Sequence, residues 1–92
     1  MILEQKIALV TGGSRGIGRA ICQRLAAMGA TVGINYVANP TAAEETLQLI
    51  ETAGGKGFLL RFDVADGIAA QEAIKELLAT HGQLDILVNN AG

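Results

Sequence analysis

Eight residues near the start of the chain, Thr11-Gly12-Gly13-Ser14-Arg15-Gly16-Ile17-Gly18, follow an apolar run and precede an amphipathic stretch. A glycine-rich turn from a strand's carboxyl end into a helix's amino end is suited to hold a phosphate. Free backbone N–H groups and the positive end of the helix dipole point at the anion, and missing β-carbons let its oxygens approach. Glycines at 12, 16 and 18 depart from the G-x-G-x-x-G spacing of the common dinucleotide fingerprint. A P-loop is excluded as well, because Gly18 is followed by Arg19-Ala20 rather than Lys and Ser/Thr. Taken alone, the turn could also be a flexible connection and nothing more.

Two other clusters sit where apolar runs end: Asp63-Val64, and Asn89-Asn90-Ala91-Gly92 at the end of the chain. Each has a plain structural alternative. Asp63 can cap a strand end, and Asn89 and Asn90 can satisfy turn backbone. Arg15 puts a guanidinium inside the glycine turn, where it can reach a phosphate or simply remain solvated. Cys22 and His81 are the single residues of their types. Cys22 falls on a helix flank and reads as packing. His81 falls beside a helix end and reads as hydrated or as a carbonyl cap. One Cys and one His supply no zinc ligand set.

The elements that position these residues alternate in type. Ile7–Val10 is a short apolar run, read as a strand buried on both faces. Ile17, Ile21, Leu25 and Met28 recur at helical spacing, and Gly29 ends that helix in a left-handed conformation. Thr31–Tyr36 is a second strand. Asn39-Pro40-Thr41 opens a second helix, with Thr41 and Glu44 at capping-box spacing and Ala43, Leu47 and Ile50 inward, and Gly54-Gly55 stops it. Gly57–Phe62 is a third strand, Asp66 caps a third helix that turns Ile74, Leu77 and Leu78 inward, and His81-Gly82 closes it. Asp85–Asn89 is a fourth strand. Such alternation predicts a parallel sheet with right-handed crossovers, a single βαβαβαβ unit over residues 1–92 without linker or further repeat.

Three of these segments together carry a family resemblance. Thr-Gly-x-x-x-Gly-x-Gly after the first strand, Asp63-Val64 after the third and Asn89-Asn90-Ala91-Gly92 after the fourth resemble the short-chain dehydrogenase/reductase pattern, in the right order. Lys6 to Gly18 and Asp85 to Gly92 are most similar to bacterial 3-oxoacyl-[acyl-carrier-protein] reductases. The resemblance implies a Rossmann-type α/β fold, strand order 3-2-1-4, helices on both faces and the ligand at the strands' carboxyl ends. It implies that Gly12, Ser14, Arg15, Gly16, Ile17 and Gly18 wrap the pyrophosphate and adenosine ribose of a dinucleotide. Asp63 would accept from the adenine amino group while the Val64 backbone holds the ring. Asn90, Ala91 and Gly92 would run beneath the ribose and nicotinamide. Members that prefer NAD usually carry an acid at the end of the second strand. Here Ile34-Asn35-Tyr36-Val37 has none, so Asn35, Tyr36 and Arg15 together favour NADP over NAD.

The family's chemistry rests on a downstream serine and a Tyr-x-x-x-Lys pair, in which the tyrosine moves the proton and the lysine lowers its pKa. In these 92 residues the only tyrosine is Tyr36, with Pro40 four positions on, and the only serine is Ser14 in the glycine turn. No catalytic residue is therefore assigned, and the expectation is a sequence truncated after the fourth strand. Three readings stay open: part of an NADP-dependent oxidoreductase of the 3-oxoacyl-carrier-protein reductase type, a stand-alone or engineered half-domain that binds nucleotide without catalysis, and an interaction or folding module.

Composition narrows the partners. The chain is 50% hydrophobic and 17% charged, enough for a core, and a formal net charge of −2 gives no reason to expect nucleic acid or an anionic membrane. No apolar run approaches the ~20 residues of a membrane helix, Met1 to Lys6 is no signal peptide, and a lone cysteine allows no internal disulfide; a cytoplasmic protein is expected. In order 3-2-1-4 the apolar fourth strand lies at an edge, which predicts a homodimer formed by antiparallel pairing of fourth strands.

Overall fold

The computed structural model describes residues 1–91, so Gly92, assigned above to the cofactor site, lies outside the described residues. Seven elements follow one another: β1 (Ile7–Val10), α1 (Gly16–Ala27), β2 (Thr31–Tyr36), α2 (Pro40–Thr52), β3 (Lys56–Arg61), α3 (Gly67–His81) and β4 (Ile86–Val88). The strands form one parallel sheet, as the alternation predicts, in the order β3-β2-β1-β4 that the resemblance implies. Both ends of β3 and both ends of β4 differ by a residue from the sequence reading. Hydrogen bonds nevertheless continue past them, from the Phe62 N–H to the Tyr36 carbonyl and from the Asp85 N–H to the Ile7 carbonyl.

Side-chain alternation along β1 divides the core in two. Ala8 and Val10 point to one face, where Cys22 and Ala26 of α1 and Ala43 and Ile50 of α2 cover them. Leu9 points to the other, against Leu60, Phe62 and the Ala73 and Leu77 of α3. Helices α1 and α2 thus share one face and α3 takes the other.

The helices bury smaller residues than the periodicity predicts. In α1 the sheet-facing row is Gly18, Cys22 and Ala26, whereas Ile17 is 75% exposed. Spacing of four puts these small residues on one stripe and lets the helix backbone come close to the strands. In α3 Ala73 and Leu77 are buried while Leu78, expected inward, is 43% exposed.

Capping of α2 also departs from the expectation. Asn39, not Thr41, is the N-cap: its side chain accepts the Ala42 N–H at 3.1 Å, and Pro40 fills the first turn. The fixed φ of Pro40 starts the helix two residues earlier, which leaves Thr41 inside it. Asp66 caps α3 as expected, accepting the Ala69 N–H. Both α1 and α2 end on a paired motif: Gly29 donates to Ala26 and Ala30 to Leu25, and Gly54 donates to Glu51 and Gly55 to Ile50.

Candidate functional site

The turn after β1, the end of β2, the segment after β3 and the segment after β4 meet at the carboxyl edge of the sheet. They enclose a cleft of about 270 Å³ lined by Gly12, Ser14, Arg15, Asn35, Tyr36, Val37, Ala38, Asn39, Val64 and Ala91. A larger hollow of about 560 Å³ opens at the opposite edge, between the ends of α1 and α2, and holds none of the predicted site residues.

Not all of the turn's amides are available to a ligand. The Gly12 N–H donates to Asn35 Oδ1 at 3.1 Å and the Gly13 N–H to the Asn35 carbonyl at 3.0 Å. The N–H groups of Ser14 and Arg15 make no hydrogen bond among the described residues. The anion-binding part of the turn is therefore narrower than its glycine count and starts at Ser14. Arg15 is exposed and forms no ion pair among the described residues.

Two glycines serve opposite ends. A β-carbon on Gly18 would fall on the Gly12 carbonyl oxygen, so its missing side chain lets α1 reach the turn. A β-carbon on Gly16, whose φ is +61°, would meet nothing within 4 Å. Only Gly16 leaves its space to a ligand; the closeness at Gly18 is used by the protein itself.

Asn35 does not offer its side chain to the cleft. It is 1% exposed, and besides accepting from Gly12 its Nδ2 donates to the carbonyls of Leu60 and Phe62 at 3.2 and 2.9 Å. Its part in a site is to hold the turn, and Tyr36 is the neighbour that remains half-buried at the cleft. Asp63 is exposed, with Oδ1 accepting the Ala65 N–H at 2.9 Å, a strand-end turn of the kind considered above. Val64, beside it, lines the cleft.

After β4 the chain is fastened to β1 by Thr11. Its Oγ1 accepts the N–H groups of Asn90 and Ala91 at 2.9 and 3.1 Å and donates to the Val88 carbonyl at 3.2 Å. The Asn90 Nδ2 donates to the Gly12 carbonyl at 3.1 Å. Thus Asn90 and Ala91 stand next to the glycine turn although 78 residues separate Asn90 from Gly12 in sequence.

Beneath the turn lies Cys22, whose thiol is pushed up to about 12 by burial and packs 4.0 Å from the Gly13 carbonyl. It is a core residue and not a nucleophile. His81 stacks on Phe58, with ring centroids 4.2 Å apart, at the end of α3.

Sequence reasoning assigned no role to Thr11, Arg19 or Thr46. The guanidinium of Arg19 bonds to Ser14, Ala42 and Thr46. Thr46 carried the one usable signal. It falls on the inner stripe of α2 with Ala42, Ala43 and Ile50, a polar residue in an apolar row.

The sequence profile of the family described as short chain dehydrogenase matches residues 6–92. The chain belongs to the short-chain dehydrogenase/reductase family. Among relatives, this family member is 49% identical over 91 residues to the short-chain dehydrogenase/reductase homolog YusS of Bacillus subtilis, covering 99% of this chain and 84% of YusS. It is 45% identical over 87 residues to the 3-oxoacyl-[acyl-carrier-protein] reductase FabG of Staphylococcus epidermidis, covering 95% of this chain and 36% of that enzyme. Among solved structures, a dehydrogenase/reductase from Sinorhizobium meliloti superposes with a TM-score of 0.93 at 49% identity, covering 98% of this chain and 36% of the other. A metagenomic short-chain oxidoreductase in complex with NADP superposes with a TM-score of 0.95 at 36% identity, covering all of this chain and 41% of that one. This short-chain dehydrogenase/reductase chain therefore spans most of YusS but about a third of the reductase.

Proposed function

We propose that residues 1–92 form a single nucleotide-binding half-domain that takes NADP(H) in preference to NAD(H), the front part of an activity like that of a 3-oxoacyl-[acyl-carrier-protein] reductase. The observation that carries this is the N–H groups of Ser14 and Arg15, without a hydrogen-bond partner among the described residues, beside the exposed Arg15 guanidinium on the rim of the cleft. Two donors and a cation suit a diphosphate and a further phosphate. The end of β2 offers no carboxylate to repel a 2′-phosphate: Asn35 is buried, and Tyr36, Val37 and Ala38 line the cleft. The NADP complex of the metagenomic relative supports the same choice.

In this assignment Ser14, Arg15, Gly16 and Ile17 hold the diphosphate and adenosine ribose, with Gly12 and Gly18 shaping the turn. Asp63 would use its second carboxylate oxygen for the adenine amino group, and Val64 would lie against the ring. Asn90, Ala91 and Gly92 would border the nicotinamide end. The bound cofactor supplies hydride chemistry; this chain's residues bind and orient it. These 92 residues contain no Tyr-x-x-x-Lys pair to move the proton, so we assign the chain alone no carbonyl reduction and expect no turnover with NADPH and a short 3-oxoacyl thioester. Fatty-acid biosynthesis and a cytoplasmic location follow from this reading.

Titration of NADP+ and NAD+ against the native chain and Arg15→Ala tests it. Tighter binding of NADP+, lost on substitution, is expected. Equal affinity for both, unchanged in the variant, would refute the NADP assignment.

A second reading is favoured by one observation. YusS is nearly spanned by this chain, so the likeness extends to a relative of similar extent. In that reading the half-domain binds nucleotide without catalysis of its own and pairs with a second copy through β4.

A further inference from the structure

The Ser14 and Arg15 N–H groups face outward because the preceding carbonyls are held inward. In a trans peptide the C=O of one residue and the N–H of the next point in opposite directions, so fixing one aims the other. Thr46 Oγ1 lies 2.9 Å from the Ser14 carbonyl, 3.1 Å from the Gly13 carbonyl and 3.3 Å from the Ala42 carbonyl of its own helix, and shares its single proton among them, the two turn carbonyls being nearest. Arg19 Nη2 donates to the Ser14 carbonyl at 2.8 Å. Its Nε donates to Thr46 Oγ1 at 2.9 Å, and Nη2 also reaches the Ala42 carbonyl at 2.9 Å, which ties the pair to α2.

Both residues are costly choices for packing alone. Thr46 is fully buried, where a valine would fill the same space without a hydroxyl to satisfy. Arg19 makes no ion pair among the described residues; its bonds go to oxygens of the glycine turn and α2. A planar guanidinium can meet three acceptors at once, which an ammonium cannot do in the same geometry.

We propose that Arg19 and Thr46 are positioning residues of the anion site. They set the peptide planes between Gly13 and Ser14 and between Ser14 and Arg15, and so aim the two donors that receive the diphosphate. They also couple that geometry to the first turns of α2. Neither touches the anion. The proposal rests on the dinucleotide reading above, deepening it by naming what orients the site.

The test uses NADP+, inorganic pyrophosphate and 2′-AMP, which lacks the diphosphate, with the amide resonances of Ser14 and Arg15 as a second readout. Arg19→Met and Thr46→Val are expected to weaken NADP+ at least about tenfold and to abolish the pyrophosphate shift at both amides, with 2′-AMP bound as by the native chain. Thr46→Ser restores both responses because it restores the hydroxyl, whereas Arg19→Lys does not. The Thr46→Val and Thr46→Ser pair decides even where Arg19→Met fails to fold. Native NADP+ affinity in folded Thr46→Val overturns the proposal and leaves the dinucleotide reading standing; so does an equal loss of 2′-AMP binding, which marks a merely structural role. A native pyrophosphate shift lost in the variants, without NADP+ affinity in the native chain, upholds the proposal and removes the dinucleotide reading. No response of the native chain to NADP+ or pyrophosphate overturns both.

Discussion

Asn35 Oδ1 accepts the Gly12 N–H at 3.1 Å, so the turn that follows β1 is held by a side chain at the end of β2. The same carboxamide donates to the Leu60 and Phe62 carbonyls, joining three chain segments through one buried group. Asn35→Ala would strand a donor and two acceptors, at about 1–3 kcal/mol for each group left without water. The expected loss is about 3 kcal/mol or more, read from urea denaturation. Asn35→Asp adds a buried carboxylate opposite two carbonyl oxygens, which raises its folded pKa. Its stability should therefore fall further as pH rises through that value. A native-like denaturation midpoint in Asn35→Ala would mean that water replaces the side chain.

Gly16 and Gly18 should separate binding from folding. An alanine at Gly18 drives a methyl into the Gly12 carbonyl, a backbone collision that the turn cannot relax, and about 3 kcal/mol of stability should be lost. At Gly16 the new methyl meets no atom, and the left-handed φ of +61° costs about 1–2 kcal/mol. Gly16→Ala should stay folded and lose phosphate affinity, because its methyl occupies the open side. Thermal melts with and without pyrophosphate check both. Equal destabilisation by the two substitutions would contradict this division.

The contrast between these glycines marks what was legible in the sequence. Strand and helix alternation was legible as a parallel sheet with crossover helices, because short apolar runs and period-3.6 patterns are set by neighbours a few residues away, while the strand order came with the family resemblance. The glycine turn, Asp63-Val64 and Asn89 to Gly92 were legible as strand-end motifs. What failed depends on atoms distant in sequence. Thr46 meets Gly13 across 33 residues, and Asn90 meets Gly12 across 78. Asn35 lines the cleft as its strand-end position predicts, but the bonds that turn its side chain to the Leu60 and Phe62 carbonyls span 25 and 27 residues and are not visible in sequence. Ile17 and Leu78 were placed inward by periodicity, while Gly18, Cys22 and Ala26 took the sheet-facing row of α1 because small residues permit close approach.

Asp85 gives the fold an acid-sensitive fastening away from the cleft. Its Oδ2 accepts the Ile7 N–H at 2.8 Å and the Gln83 side chain at 2.6 Å, joining the start of β4 to the start of β1. The Ile7 N–H first, then Gln83 and the Lys6 charge, hold its carboxyl below the usual carboxylate range. A lowered folded pKa means that the stabilisation is fully present above the unfolded value of about 3.9 and is lost as pH falls through the folded one. Asp85→Asn keeps an acceptor for Ile7 but cannot titrate. The difference in urea midpoint between pH 7 and pH 3 should shrink in this variant. An unchanged difference would assign the acid sensitivity to other carboxylates.

Leu87 bears on assembly, and the expectation is that the chain pairs with a second copy through β4. Among the described residues β4 is bonded to β1 alone, so its outer row of backbone groups meets no strand. Its middle residue, Leu87, is 51% exposed, and neither Ile86 nor Val88 supplies a charge, proline or bulge to discourage pairing. A two-fold axis through the strand's centre would set Leu87 opposite its own copy in an antiparallel pair and make one sheet of eight strands, twice the four seen here. Light scattering over a dilution series should report a dimer for the native chain. Leu87→Lys would place like charges directly opposite each other, which opposes pairing, and its solvent-facing position leaves the fold intact. The variant should scatter as a monomer with native-like circular dichroism. A native monomer at tens of micromolar (roughly the range where weak edge pairing is still populated), or a variant that dimerises equally well, would locate any self-association elsewhere on the molecule.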